Sequence, residues 1–121
     1  MADYQMGEGE TRFAEIIWAN EPISSSVLAK LAEGAMGWKK TTSFTVLRRL
    51  CDKGIFQNEK GSVTSLISRE EFATAQSERF VADNFDGSLP AFLAAFSRSK
   101  RLSEREAERL LRLVAEFRED E

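Results

Sequence analysis

Trp38-Lys-Lys-Thr-Thr-Ser-Phe-Thr-Val-Leu-Arg-Arg-Leu-Cys-Asp-Lys-Gly54, followed by Ile55-Phe-Gln-Asn-Glu-Lys-Gly61, is the stretch on which the reading of the chain turns. Projected on a helix at about 100° per residue, Phe44, Val46, Leu47, Leu50 and Cys51 fall on one side. Thr41, Thr45, Arg48 and Asp52 fall on the other, with Thr42, Arg49 and Lys53 on a flank. One face can enter a core while the other offers hydroxyl and guanidinium groups. Gly54 stands where a helix C-terminus favours a left-handed residue. Beyond it, Ile55-Phe56-Gln57 is extended in character, Asn58 to Gly61 is turn-like, and Val63 to Ile67 is rich in β-branched residues. The spacing predicts a helix followed by an antiparallel hairpin, Phe56–Glu59 with Ser62–Leu66. A recognition helix and its wing have this order.

The charge of this stretch is local. Lys39, Lys40, Arg48, Arg49 and Lys53 oppose Asp52 alone, giving +4 between residues 39 and 53. Residues 1–67 hold eight basic and eight acidic side chains, residues 68–121 nine and twelve, and the whole chain carries −3. A field of that sign steers nucleic acid weakly, so binding would depend on the patch itself. Hydroxyls and lysines suit phosphate oxygens, and arginine suits the paired acceptors of guanine.

With 121 residues, 42% hydrophobic and 31% charged, the composition is that of one compact domain or two small subdomains. There is no histidine and one cysteine, which excludes an internal disulfide and the usual zinc sites. Cys51 lies on the apolar side of its helix and reads as a core residue. No metal or cofactor is expected, and nucleophile–base pairs for catalysis are scarce. Glu104, Glu106 and Glu108 read as a solvated helix face. No apolar run approaches the ~18 residues of a membrane span. The N-terminus lacks the basic and apolar regions of a signal peptide, so a cytoplasmic protein is expected.

Outward from the central stretch, residues 1–8 read as a flexible lead and the first helix as about Gly9 to Ala19, ended by Asn20-Glu21-Pro22. Pro22-Ile23 is a short extended segment, and Ser24 to Ser26 offer caps for a second helix with Leu28, Leu31, Ala32 and Ala35 on one face. Gly34 to Gly37 breaks that helix, and Trp38 anchors entry to the third. Ser68 and Glu71 form a capping box opening a fourth helix to about Asn84 or Phe85. Ser88 caps a fifth helix with Leu89, Phe92, Leu93 and Phe96 as its stripe. Ser103 and Glu106 open a sixth, with Ala107, Leu110, Leu111, Val114 and Phe117 at helical spacing. These last helices are too small and too aromatic to bury themselves, so pairing with a second copy is expected.

The chain resembles the penicillinase-repressor family of bacterial transcriptional regulators over roughly residues 10–117. The likeness rests on Phe13-Ala-Glu-Ile-Ile-Trp18, Ile23-Ser-Ser-Ser-Val-Leu28, Gly37-Trp-Lys-Lys-Thr-Thr42, Leu47-Arg-Arg-Leu50, Lys53-Gly54, Gly87-Ser-Leu89 and Leu102-Ser-Glu104. The resemblance implies a homodimer that binds a palindromic operator in double-stranded DNA and represses transcription. It implies that Thr41, Thr42, Thr45 and Arg48 lie on the DNA-facing side of the recognition helix, with phosphate contacts from Lys39, Lys40 and Lys60. Arg49 at the family's arginine position contacts phosphate or braces the domain. Members that respond to antibiotic are cleaved at an Asn-Phe bond in the fifth helix, where this chain has Ala95-Phe96; a copper-sensing branch carries paired cysteines that this chain lacks. An upstream sensor or protease therefore stays open as a partner.

The expected fold is mainly α with a small β-hairpin wing: a winged helix-turn-helix over residues 1–67, then a three-helix dimerisation region over 68–121. Phe80, Leu89, Phe92, Leu93, Phe96, Leu110, Leu111, Val114 and Phe117 are its expected interface residues. The competing reading is a winged helix that binds a partner protein and has no specific DNA binding.

Overall fold

The computed structural model describes residues 4–119. In chain order the elements are α1 (Glu8–Asn20), β1 (Ile23–Ser24), α2 (Ser25–Met36), α3 (Lys40–Asp52), β2 (Phe56–Glu59), β3 (Ser62–Ser65), α4 (Arg69–Phe85), α5 (Leu89–Ser99) and α6 (Glu104–Glu116). The fold is mainly helical with a small antiparallel sheet, as the sequence pattern predicts. The chain divides into two compact units, one through Arg79 and one from Phe80, so the boundary falls inside α4.

In the first unit the helix ends follow local chemistry. Glu10 at the third position of α1 accepts the Gly7 N–H at 3.1 Å, and Glu8 and Glu10 place negative charge at the positive end of the helix. The Ser24 hydroxyl accepts the Val27 N–H at 3.1 Å and opens α2. Gly34 does not break α2. It stays helical, and Gly37, at φ 69°, ends the helix by donating its N–H to the Glu33 carbonyl at 2.9 Å. One interior glycine costs only about 1 kcal/mol against alanine, which the packing of its neighbours outweighs. The buried stripe of α2 is Leu28, Ala29 and Ala32, with Leu31 exposed.

The sheet has the order β1-β3-β2, with both pairings antiparallel. Phe56 stands opposite Ser65 and Glu59 opposite Ser62. Ile23 of the two-residue β1 pairs with Val63, joining the approach to α2 to the hairpin. Lys60 and Gly61 form the tip with φ of 52° and 89°, the positive values that two-residue hairpin loops require. The Asn58 side-chain oxygen accepts the Gly61 N–H at 3.0 Å and pins that turn.

Phe13, Ile17, Leu28, Leu50, Ile55, Phe56 and Val63 fill the core of this unit. Trp18 covers one end, with its ring 5.2 Å from that of Phe56 and 5.5 Å from that of Phe72 on α4. Its indole N–H donates to the Ile67 carbonyl at 3.1 Å. The start of α4 thus packs with the winged helix. Ser68 and Glu71 cap it reciprocally: the Glu71 N–H donates to the Ser68 hydroxyl at 3.0 Å and the Ser68 N–H to the Glu71 carboxylate at 3.1 Å.

The expected flexible lead is instead tied down over residues 4–7; positions 1–3 lie outside the described residues. Tyr4 and Met6 pack against the core. The Tyr4 carbonyl accepts the Gln76 side-chain N–H at 3.2 Å, and the Gln5 carbonyl accepts the Lys53 ammonium. These partners lie 48 and 72 residues away, beyond the reach of a local pattern.

In the second unit, Phe80, Phe85, Phe92 and Phe96 form one aromatic cluster, with successive ring centroids 5.6–6.3 Å apart. The Ser88 hydroxyl caps α5 through the Ala91 N–H, and the Ser103 hydroxyl caps α6 through the Glu106 N–H, both at 3.1 Å. Neither α5 nor α6 has a buried residue. On α6, Leu111, Val114 and Phe117 are 70%, 64% and 75% exposed, while Leu110 is half-buried. On α5 and at the start of the unit, Leu89, Leu93, Phe96 and Phe80 are exposed and Phe92 is half-buried. Among the described residues no helix is long and apolar enough to cross a membrane.

Candidate nucleic-acid interface

α3 inserts Ser43, Val46, Leu47 and Leu50 into the core and turns Thr41, Thr42, Thr45, Arg48 and Arg49 outward. Phe44 departs from the projected apolar face. It is 36% exposed, and Ser43 occupies the buried position beside it. The reason is angular: Ser43, Val46, Leu47 and Leu50 centre the buried face, and Phe44 lies roughly 110° round the helix from its middle. The Ser43 hydroxyl is buried with no hydrogen-bond partner. Cys51 is half-buried; burial first, and then the negative charge of Asp52, push its thiol pKa up. The thiol therefore stays protonated at neutral pH, as suits a packing residue.

The start of α3 differs chemically from the other helix starts. Its N-cap is Lys39, with no side-chain cap bond, and its first turn has no acidic residue. Its leading N–H groups, Lys39 and Lys40 thus combine positive charge with free donors at one end. The Lys40 ammonium lies 5.7 Å from the centre of the Phe44 ring. Thr45 donates its hydroxyl proton to the Thr41 carbonyl at 2.9 Å. While that bond holds, Thr45 offers the solvent a hydroxyl lone pair and a methyl group, which suit a base edge better than a phosphate.

The basic side chains divide into two sets. Arg49 and Lys53 face Glu10 of α1, at 3.7 and 3.6 Å from the same carboxylate oxygen. That oxygen has no hydrogen-bond partner and is buried between the two cations. Arg49 and Lys53 therefore brace α3 against α1, and Glu10 offsets part of the local positive charge. Lys39, Lys40 and Arg48 are exposed on α3, and Lys60 is exposed at the hairpin tip. The sequence pattern gave no sign of Glu10 in this arrangement, because it lies about 40 residues upstream on another helix. Replacing Glu10 with Gln keeps the side-chain oxygen that caps α1 and removes the charge. An expected loss of about 1 kcal/mol, read from urea unfolding and shrinking at high salt, measures the brace. An unchanged midpoint would mean that the two cations hold nothing in place.

Three short helices, a three-stranded sheet ending in a hairpin and an outward polar face on the third helix define a winged helix-turn-helix protein. The chain belongs to the penicillinase repressor family, whose model matches residues 6–116. A penicillinase repressor from Bacillus licheniformis is 25% identical over 118 residues, covering 94% of this chain and 92% of that protein. The family is one of transcriptional repressors, not of enzymes.

Proposed function

We propose that this protein represses transcription by binding a palindromic operator in double-stranded DNA as a homodimer. The observation that carries the reading is α3 itself, with its apolar side locked in the core and its polar side open, together with the exposed Lys60 of the hairpin tip. An α-helix of this kind fits the major groove, where side chains near its N-terminus meet base edges. Thr41, Thr42, Thr45 and Arg48 supply base contacts. Lys39, Lys40 and Lys60, with the uncapped start of α3, hold phosphates. Arg49 acts as a brace through Glu10. Residues 68–121 supply the dimer contacts, through the exposed apolar positions of α5 and α6 together with Phe80, Phe92 and Leu110.

Titration against sheared genomic DNA at two salt concentrations, with the bound fragments sequenced, tests this reading. Recovery of a palindrome with half-sites about one helical turn apart is the expected result. On that duplex, Arg48→Ala should cost ~1–3 kcal/mol and relax sequence choice at one position per half-site. Lys60→Ala should weaken all duplexes alike and flatten the salt dependence. Sequence-blind binding that disappears with salt would instead favour a protein partner for the same helix.

A further inference from the structure

We infer that Phe44 reads the 5-methyl group of a thymine in each half-site; the inference rests on the operator-binding function proposed above. Phe44 is an aromatic side chain on the outward part of α3, 36% exposed. It stands one turn from both Lys40 and Arg48, and three residues from Thr41. Its exposed neighbours on α3 within one turn, Lys40, Thr41, Thr45 and Arg48, are all polar or cationic. On α3 itself the ring is the one exposed apolar side chain among cations and hydroxyls, a setting that does not suit an apolar protein partner. It does suit a polyanion that carries isolated methyl groups between polar edges. The major groove presents such a group only at thymine.

The cation beside the ring strengthens the assignment. The Lys40 ammonium sits 5.7 Å from the ring centre and is drawn to the π face. A lysine anchored on a phosphate would hold one side of the ring toward the backbone and direct the rest of its surface to the bases. The neighbouring Arg48 supplies donors for guanine, so the two positions together would read a thymine close to a guanine within each half-site.

The test uses the full-length protein and the palindromic duplex recovered by the genomic selection. Each thymine is replaced in turn by deoxyuridine, which removes the methyl group and leaves the Watson–Crick edge intact. The expected result is a loss of about fourfold in affinity for each single replacement at one symmetric pair of positions, one in each half-site, the worth of one buried methyl-sized group. Phe44→Ala should bind the thymine and uracil duplexes equally, so the two changes are not additive. Because Phe44 is outside the buried core, the variant should keep the helical circular dichroism of the parent and a cooperative unfolding transition at a modestly lower midpoint. The uracil scan on the parent protein stands without the variant. Indifference of the parent to every uracil overturns the inference, as does a half-site without thymine. A uracil effect that persists undiminished in Phe44→Ala also overturns it, since another residue would then be reading the methyl. Recovery of no specific duplex overturns the operator-binding function itself, which separates that failure from this one.

Discussion

The double substitution Leu111→Asp, Val114→Asp is expected to leave a folded winged helix that sediments as a monomer and has lost most of its operator affinity. Both side chains are largely exposed in the single chain, so the change removes no intramolecular packing of consequence. In a dimer they would be covered. Each apolar side chain of this size contributes roughly 1.5–3 kcal/mol on full burial, and a carboxylate in its place adds a desolvation cost. Symmetry doubles the effect, because each position occurs in both copies. Without the link between the two reading heads, the second half-site must be bound independently, which forfeits about 10²–10⁴ in affinity. Sedimentation velocity and an operator titration on the same preparation measure both consequences. A variant that remains dimeric would remove α6 from the interface.

Phe56→Ala is expected to lower the stability of the first unit by about 3–5 kcal/mol. Phe56 is fully buried at the start of the hairpin and lies beside Trp18, which in turn meets Phe72 at the start of α4. Its loss opens a cavity where α1, the sheet and α4 converge. Against a typical total of 5–15 kcal/mol, a decrease of that size brings the unit close to unfolding at body temperature. Urea unfolding followed by tryptophan fluorescence gives the number. A loss below about 1 kcal/mol would mean that the surrounding side chains collapse into the space.

How much of this was legible beforehand depended on the distance over which each feature is determined. The capping box at Ser68 and Glu71, the cap at Ser24 and the hairpin with Lys60 at its tip are set within four residues. All of them stand in the structure as the spacing predicts. The outward set on α3 was likewise legible, because one core seam decides it. The misreadings sit where backbone geometry overrides residue type. Ser43 is buried and Phe44 exposed because Ser43 completes the i, i+3, i+4, i+7 seam with Val46, Leu47 and Leu50, while Phe44 lies at its edge. Gly34 continues a helix that Gly37 ends, since a glycine stops a helix only where the backbone actually turns left-handed. Contacts between distant segments left no trace in any local pattern. Glu21 receives both the N–H and the hydroxyl of Ser65 across 44 residues, and the lead at Tyr4 and Gln5 is fastened by Gln76 and Lys53. The apolar faces of α5 and α6 were readable as stripes, but a stripe names no partner, and the isolated chain leaves them uncovered.

The placement of the two tryptophans gives the first unit a pair of built-in optical probes. Trp38 stacks on Phe13 with centroids 5.4 Å apart, at the doorway to α3, and its ring would lie 3.1 Å from a Cβ added at Gly9. Trp18 stands at a different junction, where the hairpin and α4 meet. Emission from a chain keeping only Trp38 would follow events at the reading helix, while a chain keeping only Trp18 would follow the docking of α4. Comparing the two colour shifts as DNA is added would show directly whether occupancy of the groove is felt at the root of the C-terminal helices.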